Sequence, residues 1–259
     1  MRTIPLLLMG LAAGPAFAQT PPDPPATPRP TQSATDMGSQ VEIGVHAYGM
    51  AIGSFLTEID ESKKVIDVPP GGRARVVYPG FGGFSGGGGI AVDVLWRGIV
   101  GLKLGLFASN DVGSGSINDV DFDIGQTALH LPLLLKVAAP VETVRPFFVI
   151  GPEFVFPGDA EASTDFPGGV AVSAEADTYL ALAFGFGFEF VLPVDGMDVR
   201  IPLTLRGAWN PSVEDDINGR ARFDVERSGN IAQINGAVFK SEWEWQAAAT
   251  LGVAFYFHP

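Results

Sequence analysis

The sequence predicts an all-β fold, an antiparallel up-and-down transmembrane β-barrel of eight strands, with ten as the alternative, long loops on one side and short turns on the other. Three observations carry this prediction. From Thr178 to Leu192 every second residue is a large hydrophobe (Leu180, Leu182, Phe184, Phe186, Phe188, Phe190, Leu192), and the residues between are mostly Ala and Gly. A period of two is the signature of a strand with one apolar face. The second observation is an exported, apolar chain without a spanning helix: it is 46% hydrophobic with mean hydropathy +0.24, yet has no run long enough to cross as a helix. A closed barrel is the other structure that satisfies its backbone in lipid. The third is that short and long connections alternate along the chain, the layout of bacterial outer-membrane barrels.

The N-terminus supplies the export. Arg2, the apolar run Ile4 to Ala13 and Ala16-Phe17-Ala18 read as a signal peptide over residues 1–18, cut after about Ala18. Residues 19–39 are rich in Pro, Thr and Ser and cannot bury enough apolar surface to fold, so an extended periplasmic linker is expected. Residues 40–257 are left for one barrel. The chain has no cysteine, which excludes disulfides and thiolate metal sites. A net charge of −13 argues against nucleic acid as a partner.

Eight strands follow from the alternation. They cover 41–51, 88–96, 99–108, 124–137, 146–156, 178–192, 197–209 and 242–257. Arg97-Gly98 and Asp195-Gly196 are hairpin turns, the latter a strong signal. The segment Ser109 to Asp123, rich in Asn, Asp, Gly and Ser, reads as a loop, as do 157–177 and 211–240. Short alternations in 64–77 and 221–239 read as hairpin extensions of loops; as wall strands they would give the ten-stranded alternative.

Which face looks out is decided by magnitude. The less apolar face carries Glu42, Asp93, Lys103, Lys136, Glu153, Glu189, Arg200, Arg206 and Glu244. On lipid, each Lys or Arg would cost roughly 2–4 kcal/mol near the midplane. These charges therefore belong in the lumen of a membrane barrel. A soluble barrel would turn them to water, but it would have no use for the Gly and Ala that crowd the same face, since they weaken strands. Length agrees with a membrane: Leu180 to Leu192 spans about 40 Å at roughly 3.3 Å per residue, and a tilt of about 40° brings that near 30 Å, close to the apolar band of an outer membrane. Trp96, Trp209, Trp243 and Trp245 fall at strand ends, where interfacial aromatics belong. Eight strands leave a lumen that side chains fill. Five acids and four bases in that set predict paired charges and a plugged barrel, with Lys103 across from Asp93 if the Arg97 to Ile99 turn sets the register.

Two stretches carry a resemblance. Thr250-Leu251-Gly252-Val253-Ala254-Phe255-Tyr256-Phe257 resembles the C-terminal signal by which outer-membrane barrels are recognised by their assembly machinery, with Thr250, Gly252, Phe255 and Phe257 at its marked positions. Leu129-His130-Leu131-Pro132-Leu133-Leu134-Leu135-Lys136, followed by Arg145-Pro146-Phe147 and Gly151-Pro152, is similar to the outer-membrane β-barrel domain superfamily, the OmpA-like and PorT-like small barrels. The resemblance extends loosely over residues 40–257. It implies a small membrane barrel of a Gram-negative cell envelope and brings no catalytic residues. No peptidoglycan-binding domain is expected after the barrel.

Candidate chemistry is sparse. His46 and His130 face inward but have no third ligand at metal-site spacing, so packing inside the lumen is the better reading and no metal or cofactor is expected. No Ser stands beside either His in the expected strand pairing, so no enzyme activity is expected and a lipid-modifying barrel enzyme is the least favoured reading. The run Gly82 to Gly89 lacks the Lys and following helix of a phosphate loop. The acidic groups Glu58, Asp60 and Glu61, Asp119, Asp121 and Asp123, and Glu214, Asp215 and Asp216 hydrate the loops, or share divalent cations with lipopolysaccharide phosphates. The expected function is that of an outer-membrane barrel with a structural or surface-interaction role, whose partners are outer-membrane lipid, lipopolysaccharide and the assembly machinery, and whose surface ligand is unknown. A small-solute or ligand channel is the alternative.

Overall fold

Eight long strands close into one antiparallel barrel in a computed structural model that describes residues 41–57, 65–68, 72–75, 80–117, 120–165, 171–194, 197–213, 221–228 and 231–258. The expected signal peptide and linker lie outside the described residues. In chain order the strands are β1 (Val41–Leu56), β2 (Val65–Val68), β3 (Gly72–Arg75), β4 (Phe81–Trp96), β5 (Val100–Ile117), β6 (Val120–Ala138), β7 (Val144–Thr164), β8 (Ala171–Glu175), β9 (Tyr179–Val194), β10 (Met197–Trp209), β11 (Ala221–Ser228), β12 (Ile231–Lys240) and β13 (Trp245–Phe257). The wall runs β1-β13-β10-β9-β7-β6-β5-β4 and closes by pairing β4 with β1.

The remaining strands settle the count of wall strands. β2 and β3 pair with each other, and β11, β12 and β8 form a separate three-stranded sheet. The wall therefore has eight strands, not ten. The strands found within 64–77 and 221–239 lie in these separate sheets on the long connections and pair with no wall strand.

Both faces of the wall follow the pleat. Along β9, Leu180, Leu182, Phe184, Phe186, Phe188, Phe190 and Leu192 are exposed, while Ala181, Ala183 and Glu189 between them are buried. The same outward row of Val, Ile, Leu and Phe continues around β1, β4, β5, β6, β7, β10 and β13. The result is an uncharged belt around a closed sheet, which is a surface made for hydrocarbon. Trp96 stands exposed on the short-turn side, and Trp209 and Trp245 stack at 5.8 Å on the long-loop side.

The strands run further than the alternation predicts. β5 continues to Ile117 and β6 starts at Val120, so the expected loop 109–123 is mostly ladder, and β7 extends to Thr164. β4 and β1 also lengthen on that side. Turn-forming residues are pulled into strands here because pairing to an already formed neighbour outweighs local preference. At the opposite end the turns are tight. Arg97 and Gly98 both have positive φ, 52° and 66°, at the centre of a turn closed by the Ile99 amide on the Trp96 carbonyl at 3.0 Å, and Trp96 pairs with Val100 across this three-residue connection.

Trp243 departs from the expected interfacial position. It is buried in the long-loop mouth with Leu56, Phe81, Ile124, Ala174 and Phe239. A Cβ on Gly113 would come within 2.6 Å of its ring, so the glycine makes room for it. The reason is topological: Trp243 precedes β13 on a long connection that has spare chain to fold back over the opening.

Candidate functional site

The lumen holds two polar clusters separated by an apolar collar. Toward the short turns, Lys136 on β6 is fully buried and donates to Asp93 Oδ2 on β4 (2.5 Å), Glu189 Oε1 on β9 (2.5 Å) and the Tyr256 hydroxyl on β13 (2.8 Å). An ammonium has three protons, and each is used. The Tyr256 hydroxyl donates in turn to Asp93 Oδ2 at 2.5 Å. His46 Nε2 lies 3.0 Å from the same oxygen. Register places Asp93 opposite Lys103.

The network continues toward the turns through two arginines. Arg200 on β10 bridges Glu42 (2.9 Å), Asp198 (3.0 Å) and Glu189 (3.6 Å), with its guanidinium 3.6 Å over the Tyr256 ring. Arg145 at the start of β7 reaches Glu42 at 3.4 Å, the Ala139 carbonyl at 3.4 Å and the Gly98 carbonyl. One side chain thus ties the β4–β5 turn to the β6–β7 turn. Four acids (Glu42, Asp93, Glu189, Asp198) meet three cations (Lys136, Arg145, Arg200), and Lys103, opposite Asp93 in the ladder and lining the collar above, brings a fourth positive charge, so this half of the lumen is close to neutral. Neutrality matters because an uncompensated charge away from water is expensive.

The collar above is formed by Tyr48, Met50, Phe107, Leu134, Phe147 and Val149 around a cavity of about 50 Å³. Lys103 and Arg206 line that cavity, and each holds its charge over an aromatic ring, Tyr48 at 5.9 Å and Phe107 at 4.8 Å. The space is water-sized, not a channel.

Toward the long loops lies the second cluster. Ser109 Oγ on β5 is 2.8 Å from His130 Nε2 on β6, and His130 Nδ1 is 2.7 Å from Glu153 Oε1 on β7. Glu153 is ion-paired with Arg206 on β10. The Phe107 ring stacks on the imidazole at 4.2 Å, 8° from parallel. Asp111 Oδ2 stands 3.9 Å from His130 Nε2 and accepts from Gln246 at 2.9 Å. This corrects the expectation that no Ser stands beside a His. Phe107, not Ser109, is the residue directly opposite His130 in the ladder. The serine is the diagonal neighbour, and diagonal partners remain within reach of a long side chain.

Of the nine charges read from the sequence, Asp93, Lys136, Glu189, Arg200 and Glu42 meet in the first cluster and Glu153 and Arg206 in the second, with Lys103 at the collar. Glu244 does not join them. It precedes β13, and its Oε2 accepts from the Thr57 amide at 3.2 Å in the mouth. Sequence reasoning passed over Arg145, Asp198 and Tyr256. All three sit on the inward phase of their strands, so the pleat itself was the signal. At the C-terminal strand, Phe255 and Phe257 face outward while Thr250 and Gly252 are on the opposite face. Of the acidic loop residues, Asp121 and Asp123 are exposed on β6 and the others lie outside the described residues. Among the described residues no group of three or more His, Cys, Asp or Glu side chains is arranged so that it could hold a metal ion.

No family model matches the chain, and no curated protein matches its sequence. Among solved structures, the chain is similar to Ail, the attachment invasion locus protein of Yersinia pestis (10% identity over 85% of this chain and 100% of that chain, TM-score 0.37). It is also similar to Neisserial surface protein A (9% identity, 84% and 96% covered, TM-score 0.31) and to the outer-membrane protease OmpT of Escherichia coli (8% identity, 85% and 97% covered, TM-score 0.26). At these values the fold rests on the ladder itself: the protein is an eight-stranded, antiparallel, up-and-down closed barrel with an apolar exterior.

Proposed function

We propose that the protein is an integral bacterial outer-membrane barrel with a closed lumen, serving a structural or surface-interaction role and not conduction. The observation that carries this reading is the pairing of an uncharged apolar exterior with a neutralised, side-chain-filled interior. Eight strands and a collar that encloses a cavity of only about 50 Å³ favour it over the channel alternative. Its neighbours are outer-membrane lipid and lipopolysaccharide, met by the belt and the long-loop side. The outward Phe255 and Phe257, with Thr250 and Gly252 behind them, are the part of the chain that the assembly machinery would read.

Two measurements test this reading. The membrane fraction is run on gels with and without boiling, and a folded barrel shifts mobility on heating. Purified protein is then recorded in planar bilayers, where no large, stable conductance is expected. Recovery of the protein as a soluble periplasmic species, or steady open-pore conductance, overturns the proposal.

A further inference from the structure

We propose that Ser109, His130 and Glu153 form a hydrolytic relay that activates Ser109 toward small, water-soluble carboxylic esters admitted through the long-loop mouth. The three residues come from the consecutive strands β5, β6 and β7 and meet by two side-chain hydrogen bonds, 2.8 Å and 2.7 Å. Nucleophile, base and orienting carboxylate stand in the order that activates a serine. A neutral imidazole carries one proton. Glu153, a carboxylate held by Arg206, fixes that proton on Nδ1 and leaves the Nε2 lone pair facing Ser109 Oγ. Phe107 sets the ring plane from one face. Asp111, 3.9 Å from Nε2, stabilises the imidazolium that forms when His130 takes the serine proton.

The surroundings select the substrate. Ser109 is 3% exposed, and its strand is paired on both sides, to Gly87 and to Ala128, so a bilayer lipid has no path to it through the wall. On the long-loop side the lumen is polar, with Asp111, Ser54, Gln126 and Gln246. That path ends at the Trp243 and Phe239 plug, which is tied down by hydrogen bonds between Ser241 and Gln126 at 2.7 Å and 3.1 Å. Displacing the plug admits small solutes.

The chemistry balances without a co-reactant other than water. Ser109 Oγ bonds to the ester carbonyl carbon as its proton passes to His130 Nε2, and the carbonyl pair moves to oxygen. Collapse expels the alcohol, which takes the proton from His130. Water then adds to the acyl-serine by the same route, releasing the carboxylic acid and restoring Ser109.

The test treats the full chain, folded in detergent micelles, with a small alkyl fluorophosphonate and reads the product by intact mass and peptide mapping. One adduct on Ser109 is expected, forming faster in Trp243→Ala than in the native protein, with Ser109→Ala as the blank. His130→Gln and Glu153→Gln are expected to slow labelling by about 10²–10⁴-fold, the range of a general base. Hydrolysis of p-nitrophenyl acetate should fall in parallel and lose its histidine-dependent pH limb in His130→Gln. Heat-modifiable mobility confirms that each variant is folded. Glu153→Asp, which keeps the charge paired to Arg206, replaces Glu153→Gln if the latter does not fold. The proposal is overturned by no adduct in either the native protein or Trp243→Ala, by an adduct elsewhere, or by a rate indifferent to His130 and Glu153.

Discussion

The two ends of the lumen are closed by opposite means. The short-turn end is closed by charge: Arg145, Glu42, Arg200, Glu189, Lys136 and Asp93 form a continuous network from the turns to the collar. The long-loop end is closed by apolar packing, with Trp243, Phe239, Phe81 and Leu56 over a hydrogen-bonded polar layer. The difference follows from the chain available at each end. Tight hairpins have no residues to spare, so the strands' own long side chains must reach across and neutralise one another. The connection between β10 and β13 has residues to spare and folds into the opening. One end is therefore part of the wall, and the other is a cover laid on it.

The largest break in this comparison is expected at Lys136. Lys136→Met removes the ammonium that buried Asp93 and Glu189 share and leaves only the more distant Arg200, 3.6 Å away, on Glu189, which should destabilise the barrel by about 3–5 kcal/mol in urea unfolding. Adding Asp93→Asn and Glu189→Gln to the same chain should recover most of the loss. Full stability of the single variant would mean that the turn end is not closed by charge. At the other end, Trp243→Ala removes packing on the scale of about 3–5 kcal/mol, felt by the cover and not by the wall. Limited proteolysis should then cut within residues 210–244 while heat-modifiable mobility persists. Loss of both together would show that cover and wall form one cooperative unit.

A smaller effect tests the exterior that both ends share. Phe186→Arg, at the middle of β9, should cost roughly 2–4 kcal/mol in lipid vesicles, and the same change at the interfacial Trp96 about 0–1. Equal costs at the two sites would remove the depth dependence that a bilayer imposes. The smallest effect concerns the cover's exposed rim. Lys240 donates to Asp177 at 3.0 Å, and that hydrogen bond raises the lysine's pKa. A base raised on folding contributes stability that is complete below its unfolded pKa and fades as pH rises through the folded one. Asp177→Asn should therefore cost under about 1 kcal/mol at neutral pH, with the difference from the native protein vanishing in strongly alkaline urea titrations.

Much of this architecture is legible in particular residues. The alternation in β9 and the charges opposite it are enough to infer wall and lumen, because a pleat sends neighbouring residues to opposite faces without regard to tertiary context. The extent of the strands beyond the membrane was not legible. Ser109 to Asp123 reads as a loop by composition, yet most of it is paired, since a ladder once begun recruits residues of poor strand propensity. The Ser109–His130–Glu153 contact was hidden for a related reason: its members lie on three strands and touch diagonally, so the register of each pair has to be known to within one residue.

The sequence by itself determined that this chain forms a membrane barrel and which phase of its wall strands faces inward, because both follow from a local period and from the cost of charge on lipid. Only the tertiary structure decided who pairs with whom. Lys136 meets Asp93 and Glu189 from strands 43 and 53 residues away, and Trp243 fills a mouth built from β1, β4, β5 and β6. Those partnerships depend on register, twist and closure. These are properties of the whole sheet, which no single strand carries.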